Sequence, residues 1–243
     1  MTHIHDRSRV SDRVDPVALA ALNNAVWCSI LAATHGVEAT FGPDACTRPA
    51  RTPEGYPDAV TLDRSVDVDS LLERIDATSG CSIKDSFADL GPLPSGFEPL
   101  FDASWIRRPA QRPSRPGGED RYRVVRDPAF LRTWEVAWRR GESGPPIFLP
   151  QLLDRDDVEI LALSGTGGAL GTAVLNRSPG VVGLSNVLTG GADPTETYLI
   201  AAEAASHLFP GLDIVGYEWG PLLAAAHDAG FEVIGGLRVW MRA

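Results

Sequence analysis

The chain has 243 residues, 44% of them hydrophobic, and a formal net charge of -10. That apolar content supports a packed core and argues against wholesale disorder, while the acidity removes the main electrostatic drive for nucleic-acid binding. The length allows one large domain or two small ones.

The N-terminal stretch MTHIHDRSRVSDR is polar and has no signal-peptide core. No apolar run is expected to reach the roughly 18 residues of a membrane span. Cys28, Cys46 and Cys81 stand in no metal-ligand spacing, and His3 and His5 lie in the polar tail. The expectation is a cytoplasmic protein with reduced thiols, no metal, no membrane or nucleic-acid partner, and an open oligomeric state.

Asp15-Pro16 opens a helix as cap and first-turn proline, and Gly36 closes it. Leu19, Leu22, Val26, Ile30 and Ala33 fall at helical steps and predict its buried face. A short strand over 37–41 precedes a Pro/Gly/Arg-rich loop through Gly55. Strands over 59–62 and 82–87 flank a short helix over 67–75, and GFEPLFDASWIR at 96–107 reads as a strand pair. The 107–121 segment, RRPAQRPSRPGGEDR, reads as a linker.

The second part repeats that order. A helix over 128–140 carries Leu131, Trp134 and Trp138 on one face. Strands over 158–163 and 169–176 form a hairpin around SGTGG, whose position between two strands argues against a phosphate loop. A strand over 181–188 leads through Asp193 into a helix over 194–208. A buried strand over 214–217, a helix over 221–229 with Gly230 as its C′ residue, and a strand over 231–241 finish the chain. Gly96-Phe97-Glu98 matches Gly230-Phe231-Glu232, Trp105-Ile106-Arg107 matches Trp240-Met241-Arg242, and Trp27 and Trp134 sit in the two opening helices. The shared order predicts an internal duplication: a shortened half over 1–108, a linker over 109–121 and a fuller half over 122–243.

VVGLSNVL, the helix after GGADPTE, DIVGYE and AHDAGFEVIGGLRVW together resemble the GCN5-related N-acetyltransferase (GNAT) fold. The resemblance implies an α/β (α+β) architecture of two tandem GNAT-like mixed-sheet units, the first a degenerate copy. It also implies acetyl-CoA, or another acyl-CoA, as co-substrate, and transfer to a small-molecule amine by direct attack on the thioester. Val187 and Leu188 would line the pantetheine arm. The three loop places that hold the pyrophosphate in the family fall at Ala192, Thr195 and Thr197, none of which carries the family's residue. A shifted loop would use Gly190 and Gly191 with Thr195 and Thr197.

Asp193-Pro194-Thr195-Glu196 also has the form of a capping box, which sets two carboxylates where the pyrophosphate would sit. The family's acid position holds Ala226, which leaves Tyr217 as acid and His227, one step round the helix, as a further candidate. Glu218, at the end of a buried strand, is the candidate base; its alternative reading is a cap for the helix at Pro221. Asn186 and Trp219 are candidate substrate contacts, Trp219 alternatively a packing residue. Cys28 and His35 stand too far apart along one helix for a nucleophile pair. Beside the acyltransferase stands a second reading: a GNAT-fold protein that has lost acetyl transfer and acts as a small-molecule binder, a partner protein or an enzyme of other chemistry.

Overall fold

The computed structural model describes residues 15–112, 118–165 and 170–243. The tail with His3 and His5, the middle of the 107–121 linker and most of the SGTGG turn lie outside the described residues. Asp15 caps helix α1 (Pro16–Thr34) by accepting the Val17 N–H at 2.9 Å. Then follow β1 (Thr40–Phe41), β2 (Ala45–Thr47), β3 (Ala59–Thr61), α2 (Val68–Leu72), β4 (Ser82–Asp85) and β5 (Phe97–Arg108). The second part runs β6 (Tyr122–Val124), α3 (Pro128–Trp138), β7 (Val158–Ser164), β8 (Leu170–Ser178), β9 (Val181–Leu188), α4 (Pro194–Leu208), β10 (Asp213–Glu218), α5 (Gly220–Asp228) and β11 (Glu232–Arg242).

All these strands join one 11-stranded mixed sheet, in the order β1-β2-β3-β4-β11-β5-β10-β9-β8-β7-β6. The last strand of each part is inserted beside a strand of the other: β11 lies between β4 and β5, and β5 between β11 and β10. The two echoed sequence segments are therefore bonded to each other, with Glu232 opposite Arg107 and Arg242 opposite Phe97. Two pairs among the described strands are parallel, β3–β4 and β9–β10, each connected through a helix, α2 and α4.

Alternate strand residues supply the two faces of the sheet. Ile106, Leu161, Leu175 and Val182 pack with Tyr198 of α4, Ala226 of α5 and Phe231. Trp105, Val181 and Val215 meet the start of α1, while Ile160 and Val174 join Trp27, Trp134 and Phe148 beneath α1 and α3.

The stripe expected to be buried on α1 is mostly the wrong one. Ile30 is buried, but Leu22 and Ala33 are exposed and Leu19 and Val26 half-buried, whereas Asn23 and Asn24 are buried. Asn23 Nδ2 donates to the Asn176 carbonyl (3.1 Å) and to Ser178 Oγ (2.9 Å), and Asn176 Nδ2 donates to the Asn23 carbonyl (3.2 Å). Satisfied amides let the helix bury a polar stripe that a count of apolar positions places outside. A Cβ on Gly183 would lie 2.0 Å from Asn23 Oδ1, so this close approach requires glycine. By length and apolar content α1 is long enough to cross a membrane, contrary to the expected absence of such a run; here it is a core helix.

Two further expectations change. The 96–107 strand pair is the single strand β5, which continues through Pro99 because the pairing shifts register opposite Val239 and Trp240. The loop before Gly55 contains β2, paired with β3.

Candidate active site

β9 and β10 pair over three positions, Asp213 with Val181, Ile214 with Val182 and Val215 with Gly183. Beyond them β9 follows β8 to Leu188, while β10 follows β5 to Glu218. The parallel strands fork there, and their facing backbone edges lose each other as partners. Gly216 marks the fork, where a Cβ would stand 2.6 Å from the Leu184 carbonyl oxygen. β9 also carries a bulge opposite Thr172 and Val174, where Asn186 adopts φ +54°. Thr172 Oγ1 donates to the Asn186 carbonyl (2.9 Å), and Asn186 Nδ2 donates to the Tyr56 hydroxyl (3.1 Å).

The fork opens onto a cavity of about 330 Å³. Leu184, Ser185, Asn186 and Val187 line it from β9, Tyr217 and Glu218 from β10, and Asn24, Trp27 and Cys28 from α1. A second cavity of about 360 Å³ adjoins it, and Tyr56, Lys84, Phe101 and Tyr217 are among the residues that line both.

Glu218 is 9% exposed, and its carboxylate accepts from the hydroxyl of Tyr198, in α4. Burial pushes the carboxyl up to about 7, against the downward pull of that hydroxyl and of the Trp219 backbone N–H. Burial, with the neighbouring carboxylate, holds Tyr198 far above its ordinary range, so it remains a neutral donor. Helix α5 takes Trp219 as N-cap without any side-chain cap bond, so Glu218 does not serve as its cap.

Tyr217 is half-buried, with Trp105 edge-on to its ring at 5.7 Å and the Lys84 ammonium 4.0 Å over the ring centre. Its hydroxyl has no hydrogen-bond partner among the described residues. Trp219 is 48% exposed and stacks on Phe101 at 4.7 Å, so it forms part of the cavity wall at the surface.

The fork thus brings together Asn186, Val187, Tyr217, Glu218 and Trp219. It does not bring His227, which is exposed on the last turn of α5, 3.7 Å from the Asp228 carboxylate, and does not line either cavity. Leu188 ends β9 opposite Thr172. Gly190 and Gly191, at φ +58° and +85°, turn the chain from β9 into α4, and a Cβ on Gly190 would strike the Leu170 carbonyl oxygen at 2.4 Å. Thr195 is half-buried; Thr197 is buried and donates to the Asp193 carbonyl (3.1 Å).

At the start of α4, Asp193 Oδ1 accepts the Glu196 N–H at 3.0 Å, as the capping box predicts. The Glu196 carboxylate pairs with Arg121, so the uncompensated negative charge expected there reduces to Asp193. The forked strands fit the thioester arm of an acyl-CoA, since their edges offer unpaired backbone groups beside a cavity. The phosphate end fits less well: Pro194 has no N–H to offer, and the Glu196 N–H is already bonded to Asp193. No cluster of three potential metal ligands occurs among the described residues. His35 Nε2 sits 2.8 Å from the Ile147 carbonyl and Cys28 Sγ 3.8 Å from Asn24 Oδ1, so neither addresses the other.

Four residues of this site escape the sequence reading: Asn24, Tyr56, Lys84 and Tyr198. Only Lys84 carries a signal, as the chain's single lysine, placed in a short strand between Ile83 and Asp85.

No protein-family model matches the sequence, and no curated protein matches it. Solved structures do. A GCN5-related N-acetyltransferase from Kribbella flavida superposes with a TM-score of 0.58 at 14% identity, over 94% of this chain and 96% of that one. A GCN5-related N-acetyltransferase-like protein from Streptococcus suis gives 0.51 at 12% identity, over 93% and 98%. At such identities the likeness concerns architecture, and the chain has the mixed α+β fold of the GCN5-related N-acetyltransferases over nearly its whole length.

Proposed function

We propose that the protein is an acyl-CoA-dependent N-acyltransferase that moves an acetyl group to a small-molecule amine. The observation that carries this reading is the fork of β9 and β10, which opens onto a cavity with the buried Glu218 carboxyl at its edge. The bound acyl-CoA would supply the thioester carbonyl carbon. In this reading Val187 and Leu188 hold the pantetheine arm, and the Gly190-Gly191 turn with Thr195 and Thr197 forms the shifted loop for the pyrophosphate. Asn186 and Trp219 border the amine.

The amine nitrogen attacks the thioester carbon, an N–C bond forms and the C–S bond breaks. Glu218, with a carboxyl titrating at about 7, takes the amine proton directly or through water. Tyr217, whose hydroxyl has no hydrogen-bond partner among the described residues, gives a proton to the leaving thiolate, and solvent returns the proton from Glu218 to Tyr217. We read the 1–108 half as a degenerate copy of the 122–243 half that supplies the acceptor side of the cavity, and the three buried thiols as those of a cytoplasmic protein.

Thermal denaturation with acetyl-CoA tests this, because a ligand that binds the folded state stabilises it by about 2.7 kcal/mol at a hundredfold excess over Kd. The absence of any shift at millimolar acetyl-CoA would refute it. Asp193 at the α4 start favours the second reading, a GNAT-fold binder of small molecules without acetyl transfer, and the same titration separates the two.

A further inference from the structure

Lys84 is the only lysine in the chain and is 3% exposed. Strand alternation turns Ile83 into the cluster around Leu71 of α2 and Lys84 to the opposite face, toward α1. Its ammonium donates to Asn24 Oδ1 at 2.8 Å and lies 4.0 Å over the Tyr217 ring. No described carboxylate comes within 4.0 Å of it. Buried charges are ordinarily paired, because an ammonium removed from water needs a counter-charge or a full set of acceptors. One amide oxygen and one ring face leave N–H donors unused, and the side chain borders both cavities.

The surroundings specify what completes it. The walls near Lys84 are aromatic: Trp27, Tyr56, Phe101 and Tyr217. Of the other cations, Arg140 stands at an exposed position of the first cavity, and Arg51 of the second is already paired with Asp58 at 2.9 Å. The rest of the lining is mixed, with the Glu218 carboxyl and the amides of Asn24 and Asn186 on the first cavity and Glu54 and Asp58 on the second. One buried positive charge among aromatic rings suits a monoanion with an apolar body, and a doubly charged phosphate would remain half unpaired beside these carboxylates.

We propose that Lys84 anchors the carboxylate of the acceptor, which is an amino acid with an apolar or aromatic side chain. The amino group of that acceptor then lies in the cavity that Glu218 lines. The identity of the acceptor rests on the acyltransferase reading; the carboxylate anchor does not.

The test uses the full chain with 3-phenylpropionate, its neutral twin 3-phenylpropanamide and inorganic phosphate, titrated calorimetrically without acyl donor. Charge-assisted hydrogen bonds place the acid about tenfold or more tighter than the amide. Lys84→Met, close in length but uncharged, should bring the two within about twofold, and Lys84→Arg should retain part of the preference. Equal binding of acid and amide to the unaltered protein, binding of neither, or phosphate binding more tightly than the acid overturns the anchor. Where Lys84→Met does not fold, the comparison on the unaltered protein decides alone.

With acetyl-CoA present, thiol release should show a lower KM for L-phenylalanine than for L-phenylalaninamide, and Lys84→Met should raise the KM of the acid more than that of the amide. Absence of turnover with the acid–amide difference intact removes the acyltransferase reading and leaves the anchor standing.

Discussion

Glu218→Gln keeps the shape of the side chain and removes its titration. The carboxyl is raised from an ordinary 4.5 to about 7 by burial. Between those two values the folded protein retains a proton that the unfolded chain has already released. Stability from this group is therefore complete below pH about 4.5, falls as pH rises toward 7, and is level above it. The interval corresponds to roughly 3 kcal/mol at about 1.4 kcal/mol per pH unit. Glutamine still offers an oxygen to the Tyr198 hydroxyl, so the variant forfeits at most about 1 kcal/mol there. At pH 8 it should be the more stable protein, by about 2 kcal/mol. Urea unfolding of both proteins from pH 4 to 8 measures this, and the difference between the two curves cancels every other titrating group. Parallel curves across that range, or a less stable variant at pH 8, refute the argument that burial of Glu218 sets its proton affinity. In thiol-release assays the variant should lose turnover while its stabilisation by acetyl-CoA persists.

Tyr198→Phe withdraws the hydroxyl that favours the charged carboxylate, so the rising limb of the pH–rate profile should move to higher pH; an unmoved limb argues against the contact as a tuning element. Asp193→Gly removes the carboxylate at the α4 start and should enlarge the thermal shift given by acetyl-CoA, whereas a smaller shift contradicts the repulsion argument. Glu196→Gln should act in the same direction by releasing Arg121 from its ion pair, read in the same titration. Gly183→Ala drives a methyl group against Asn23 and Asn176 and should cost about 1–3 kcal/mol, visible as a lowered urea midpoint; an unchanged midpoint shows that α1 yields freely.

Much of this fold is legible in the sequence where local chemistry marks an end. Asp193 and Pro194 place the start of α4, and Gly230 ends α5 in a positive φ with the Phe231 N–H returned to the Ala226 carbonyl. Glu218, Tyr217 and Asn186 are legible because a polar residue at the end of an apolar strand stands where a parallel pair opens. Other parts depend on packing that no local pattern records. Tyr198 is one aromatic among the apolar residues of α4 until that helix packs beside α5 and over β9 and its hydroxyl meets Glu218.

Lys84 belongs to β4, remote in the chain from β9 and β10. It reaches their cavity because β11 and β5 are interleaved between β4 and β10. The same interleaving explains why a reading confined to the second half finds the fork and misses what faces it. Asn24 from α1, Tyr56 from the loop before β3 and Lys84 from β4 converge on the forked strands from the first half. Neither half closes this cavity alone, since removing β5 would strip β10 and β11 of a shared neighbour and remove Phe101 from the wall. The exchange of terminal strands therefore does more than join the halves: it sets Lys84 of β4 and Glu218 of β10 on the walls of one cavity.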